Sequence, residues 1–189
     1  SEPRAVSALL NPLLSLLKSS NGEVIDRFVR SGGIEVLMKL TLKLAANMSG
    51  SLKSADYELL RSLLVIFFLT SVDESSAARV ELVDRGFLGA CSAISALILP
   101  MDIGTQSVLM QLLTNLSCVD SHEIPILESG FLLIAVDHLG SVSDELRARA
   151  SMLLANLAVN SRVRASIKQF GWDSHILGLL RHPSHEIQR

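Results

Sequence analysis

The stretch LLTNLSCVD, residues 112–120, followed by ILESG, residues 126–130, decides the reading of this chain because it is written again. LLANLAVN, residues 153–160, leads to IKQFG, residues 167–171, and a looser copy, VIFFLTSVD at 65–73, leads to LVDRG at 82–86. Each copy is a leucine-rich helix end, a short break, a second helix and a glycine. The glycines Gly33, Gly86, Gly130 and Gly171 mark four such junctions, at intervals of roughly 40–55 residues, the spacing of stacked helical repeats. In such an array each unit packs on its neighbours, so the chain reads as a surface for holding a partner.

The periodicity between the junctions is helical. Leu146, Ala150, Leu153, Leu154 and Leu157 recur at three- and four-residue steps and fall on one face. Ser143 precedes them as an N-cap, with Asp144 and Glu145 where the positive helix end favours carboxylates. Ser54, Ser121 and Ser184 open other helices with the same grammar. Long helices are expected at about 4–17, 54–71, 102–118 and 144–158, with Pro12 kinking or splitting the first. No stretch alternates with period two for long enough to suggest a sheet. The glycines are expected to take the left-handed conformation that ends one helix and turns the chain sharply into the next.

One unit therefore reads as short helix, glycine, middle helix, short break, long helix. This pattern, with the LxNL ending of the long helix, resembles the armadillo repeat. The resemblance is strongest in Asp120–Val159 (DSHEIPILESGFLLIAVDHLGSVSDELRARASMLLANLAV) and Asn160–Arg189, and weakens before residue 73. It implies an all-α fold, a right-handed α-solenoid of three-helix repeats forming a single domain over 1–189. The units run 1–20 (partial), 21–72, 73–119, 120–159 and 160–189 (truncated). The unit around Gly33 is long between Leu44 and Ala55, so its middle helix or the following loop is expected to protrude. The last unit opens a third helix at Ser184 and stops, so the chain is expected to be part of a longer protein or to shield that face with a neighbour.

In armadillo arrays the third helices line a concave groove. The resemblance then puts partner-binding positions at Arg61, Leu64 and Phe68, at Val108, Gln111 and Asn115, and at Arg149, Met152 and Asn156. Residues three, four and seven apart share a helix face, and packed helices lie about 8–10 Å apart. Asn115 and Asn156 match the family asparagine that hydrogen-bonds an extended peptide backbone, since an amide donates and accepts at once. The alternative is that each asparagine caps or cross-links neighbouring helices. Importin-α-like grooves pair that asparagine with a tryptophan one turn earlier; here Gln111 and Met152 stand there, and Phe68 replaces the asparagine itself. Arg61 and Arg149 would repel a basic ligand. A strongly basic groove of the β-catenin kind is also not present, and a mixed apolar and polar, slightly acidic or helical ligand fits better.

The bulk properties agree with an interaction module. Apolar residues make up 49% of the chain with one Trp and one Tyr, a vocabulary of Leu, Ile, Val and Ala suited to helix packing. The longest uncharged stretch, Gly86–Met101, is shorter than the ~20 residues a membrane span requires and carries Pro100. No basic start followed by an apolar run opens the chain, so no leader is expected. A net charge of −2 without a basic stripe argues against nucleic acid. Cys91 and Cys118 fit reduced, buried thiols in the cytoplasm or, as an alternative, the nucleus.

Chemistry is not signalled. Neither a metal nor a cofactor is expected: His182 and His185 lack neighbouring ligands, and His122, His138 and His175 are expected near helix ends or on exposed faces. Ser31-Gly32-Gly33 lacks the Lys-Ser/Thr of a phosphate loop and reads as a helix stop. No strand precedes any serine to form a nucleophile elbow. The expected function is a non-enzymatic scaffold or adaptor binding a partner peptide, helix or domain. The alternatives are a regulatory or homo-oligomerising domain of a larger enzyme or motor, motivated by an apolar Leu64/Phe68 patch, and a GTPase or chaperone cofactor.

Overall fold

A computed structural model of the chain describes residues 2–19, 22–47, 54–72, 76–98 and 102–179. Among these residues every regular element is helical, and the chain forms two compact units, Ser1–Ile98 and Leu99–Arg189.

The first unit holds α1 (Glu2–Ser19), α2 (Gly22–Arg30), α3 (Gly33–Asn47), α4 (Ser54–Ser71), α5 (Ser76–Asp84) and α6 (Phe87–Ile98). Its packing follows a three-helix repeat: α1 lies on α4, α2 on α5 and α3 on α6. Helix α4 is the hub. It buries Leu59, Leu60, Leu63, Leu64, Ile66 and Phe67, which share one broad face of about 160° with Leu64 at its edge. Its buried Thr70 and Ser71 hydroxyls donate to the Phe67 and Phe68 carbonyls at 2.8 and 2.7 Å, which satisfies both without a second helix. The Phe67 ring meets Phe87 edge-to-face with centroids 5.0 Å apart, a geometry that contributes about 0.5–1.5 kcal/mol beyond burial.

Pro12 does not split α1, which runs unbroken from Glu2 to Ser19. The proline and Ala8, whose carbonyl it leaves without an N–H donor, are both exposed, while Leu10 and Leu17 are buried. The extra length of the Gly33 unit enters α3, 15 residues long against eight in its counterpart α9. The loop expected to share it, 48–53, lies outside the described residues, as do Ser184 and the terminal third helix.

The second unit holds α7 (Ile103–Leu116), a 3-10 turn (Asp120–His122), α8 (Glu123–Glu128), α9 (Phe131–His138), α10 (Asp144–Leu157), α11 (Ser161–Gln169) and α12 (Asp173–Leu179). Here α7 packs on α10, α8 on α11 and α9 on α10. The expected stripe Leu146, Ala150, Leu153, Leu154 and Leu157 is buried in full. Asp102, Ser143 and Asn160 cap α7, α10 and α11 by accepting from the Thr105, Leu146 and Arg162 amides at 3.0, 3.3 and 2.9 Å. Ser121 is not a cap; it sits inside the 3-10 turn, and α8 starts without a side-chain cap.

Left-handed glycines close the first helix of each unit, with φ of +83° at Gly86, +85° at Gly130 and +70° at Gly171. At the first junction the left-handed residue is Gly32, φ +81°, not the expected Gly33. Gly33 is instead the first residue of α3 and is small for a different reason: a β-carbon there would collide with the Phe28 ring.

Candidate functional site

The third-helix positions take three different fates. On α4, Arg61 is exposed and Phe68 half-buried, but Leu64 is only 1% exposed. Leu64 is therefore a core residue and not a groove residue, at the edge of the buried face of α4. On α7, Val108, Gln111 and Asn115 are half-buried. On α10, Arg149 and Asn156 are half-buried and Met152 is 48% exposed.

Within the second unit α7 and α10 lie side by side, and three of the expected ladder residues, Gln111, Arg149 and Asn156, join them. With the Gln111 amide turned so that its oxygen faces the guanidinium, Gln111 Oε1 accepts from Arg149 Nε at 3.0 Å. One turn further on, Asn156 Nδ2 donates to Ser117 Oγ at 3.0 Å and lies 3.5 Å from the Thr114 carbonyl oxygen. Ser117 Oγ itself donates to that carbonyl at 2.7 Å. Since the hydroxyl proton is committed, Ser117 Oγ must accept from Asn156, and this fixes which way the amide points. Asn156 thus cross-links the helices with its NH2 and keeps Oδ1 without a hydrogen bond from any described residue.

Sequence reasoning missed the polar links behind this face. Ser107 Oγ donates to Glu145 Oε1 at 2.7 Å, tying the start of α10 to α7. Glu123, 8% exposed, accepts from Asn160 Nδ2 at 2.7 Å, while Asn160 Oδ1 caps α11. A buried carboxylate needs such a partner. No repeated signal pointed to it: the copies at 65–73 and 112–120 end in Asp73 and Asp120 where the copy at 153–160 ends in Asn160.

His122 and His138 lie at helix ends as expected but are buried rather than solvated, and the His175 side chain lies outside the described ones. His122 is 3% exposed, and its Nδ1 donates to the Leu116 carbonyl at 2.9 Å, which assigns the proton to that nitrogen. His138 is buried at the end of α9, and burial lowers its pKa against a weaker opposing pull from Asp137. Cys91 is buried as expected and burial pushes its thiol up, whereas Cys118 is exposed and donates to the Thr114 carbonyl at 3.4 Å. Among the described residues no group of three or more His, Cys, Asp or Glu could hold a metal, and no helix is long and apolar enough to cross a membrane. His182 and His185 lie outside the described residues.

Neither protein-family models nor curated proteins give a match to this sequence. Solved structures do. A computationally designed armadillo repeat protein for modular peptide recognition superposes with a TM-score of 0.77 at 19% identity, covering 96% of this chain and 71% of its own. A designed armadillo repeat protein in complex with the peptide (KR)4 superposes with a TM-score of 0.74 at 20% identity, covering 99% and 77%. The fold is an armadillo-repeat solenoid. An engineered protein of 23% identity and TM-score 0.76, covering 96% of this chain and 68% of its own, has the same fold. In armadillo terms α4, α7 and α10 are the third helices.

Proposed function

We infer that this chain is a non-enzymatic protein-interaction module that holds a partner peptide, helix or domain on its third-helix surface. The observation that carries this reading is the face formed by α7 and α10. Core leucines hold the helices from below, and above them Val108, Gln111, Arg149, Met152 and Asn156 form a partly exposed strip of mixed chemistry. Such a strip offers apolar contact, a cation and an amide acceptor on two rigid helices, which lowers the ordering cost of binding. Asn115 on α7 belongs to the same proposal, and Arg61 and Phe68 on α4 are proposed as partner-facing positions of the first unit by itself. The self-association alternative loses Leu64, since a 1% exposed side chain presents no patch.

Met152 is the cleanest position to test, because it is exposed and makes no hydrogen bond. Met152→Glu should abolish capture of a partner by the purified chain, whereas Val142→Glu, at a 92% exposed residue before α10, should leave capture intact. Equal capture by wild type and Met152→Glu would refute the placement of the partner on this face.

A further inference from the structure

We propose that the exposed side of α10 docks an amphipathic α-helix, which lays its apolar face on Met152 and Val159 and brings a basic residue to Glu145. This rests on the partner-holding reading above and gives it a ligand class.

Glu145, Ala148, Met152, Ala155 and Val159 follow one another at alternating steps of three and four residues. That is the spacing by which one helix meets another along a seam. Leu146, Ala150, Leu153, Leu154 and Leu157 face the core, and Arg149 and Asn156 reach toward α7, so the seam is the side of α10 that remains. Met152 is 48% exposed and Val159, in the turn that follows α10, is 74% exposed. Ala155 is exposed and Ala148 half-buried. The two alanines let a second helix come close, while Met152 and Val159 enter the spaces between its side chains.

The polar groups beside the seam favour a helix over an extended guest. An extended chain brings backbone N–H and C=O groups that the surface must satisfy. Here Gln111 Oε1 faces the Arg149 Nε, Nη1 and Nη2 at 3.0, 3.3 and 2.5 Å, and the Asn156 NH2 is spent on Ser117. A helix arrives with its backbone already paired and needs only apolar contact along the seam. Charge marks one end. Glu145 is exposed, its Oε1 accepts from the neutral Ser107 hydroxyl at 2.7 Å, and among the described residues no Lys or Arg pairs with it. A lysine or arginine one turn from the apolar face of the guest supplies the complementary charge.

Selection of random 16-residue peptides displayed on phage, with the full chain as bait, provides the probe. We expect the enriched sequences to carry apolar residues at three- and four-residue steps, with a Lys or Arg one turn away. The most enriched peptide should gain helicity by circular dichroism on binding, and a proline at its centre should weaken it at least tenfold. Met152→Glu should weaken it at least tenfold, and Val142→Glu should leave it unchanged. Glu145→Gln, which keeps an acceptor for Ser107, should cost about threefold, and nothing when the basic residue of the peptide is replaced by Gln. A peptide that depends on Met152 but tolerates the proline and gains no helicity would overturn the helix and leave the partner-holding reading in place. Helical binding indifferent to Glu145→Gln would overturn the charged end of the proposal. Indifference to Met152→Glu, or a library that yields no binder, would overturn both readings.

Discussion

Asn156 on α10 donates its side-chain NH2 to Ser117 Oγ, the residue that caps the end of α7, at 3.0 Å. The same amide that a peptide-binding groove would use is thus half committed to holding two neighbouring repeats together. Its nitrogen is spent on the helix pair, and its oxygen accepts from no described residue.

That division makes Asn156 expensive to remove. Asn156→Ala should cost about 1–2 kcal/mol, because Ser117 loses its donor and the helix pair its cross-link. Urea denaturation of Asn156→Ala, Ser117→Ala and the double variant should give a coupling energy of at least about 0.5 kcal/mol. Additive single effects would show that the two side chains do not act as a pair.

The turn glycines should separate by mechanism. Gly130→Ala forces a β-carbon into φ +85° with nothing within 4 Å, so its cost should be conformational, about 1–2 kcal/mol. Gly33→Ala has ordinary backbone but meets the Phe28 ring, and pairing it with Phe28→Leu should recover part of the loss. The Phe28 change should give Gly130→Ala no relief. Thermal melts of the four variants decide this.

His138 makes stability depend on pH in one direction. Its folded pKa lies below the ordinary value of 6.5 because burial disfavours the charged ring, with Asp137 opposing. The unfolded chain therefore binds the proton first. The contribution of His138 is fully present above about pH 6.5 and is lost as pH falls through that value toward the folded pKa. His138→Gln should flatten the change in urea midpoint between about pH 7.5 and pH 5.5. An unaltered slope would mean that the ring titrates as in water.

The two cysteines should differ sharply toward a thiol reagent. Cys91 is buried and its thiol is pushed up, whereas Cys118 is exposed. Ellman's reagent should modify Cys118 rapidly in the native protein and Cys91 only in denaturant. Fast modification of Cys91 without denaturant would contradict its place in the core.

Much of this was legible before any coordinates. The α4 boundaries at Ser54 and Ser71 match the reading of the apolar run, and the α10 stripe from Leu146 to Leu157 is buried as its spacing requires. Where a helix has one apolar face, periodicity identifies that face. On α4 it found the face but not its width, since Leu59, Leu60, Leu63, Leu64, Ile66 and Phe67 span an arc of about 160° and Leu64 stands at its edge. Leu64 was misplaced for that reason. Gly32 and Gly33 are chemically alike, so only the start of α3 against Phe28 decides which one turns. The burial of His122 and His138 depends on packing that no local pattern records.

The sequence by itself determined the helical class, the repeat, the cap at Ser143 and the glycine turns at Gly86, Gly130 and Gly171, because each follows from interactions within a few residues of the chain. Tertiary structure alone decided that Arg149 meets Gln111, that Asn156 turns its nitrogen inward to Ser117, and that Glu123 is buried under Asn160. Those partners lie about one repeat apart along the chain, and only the stacking of like helices brings them within hydrogen-bond reach.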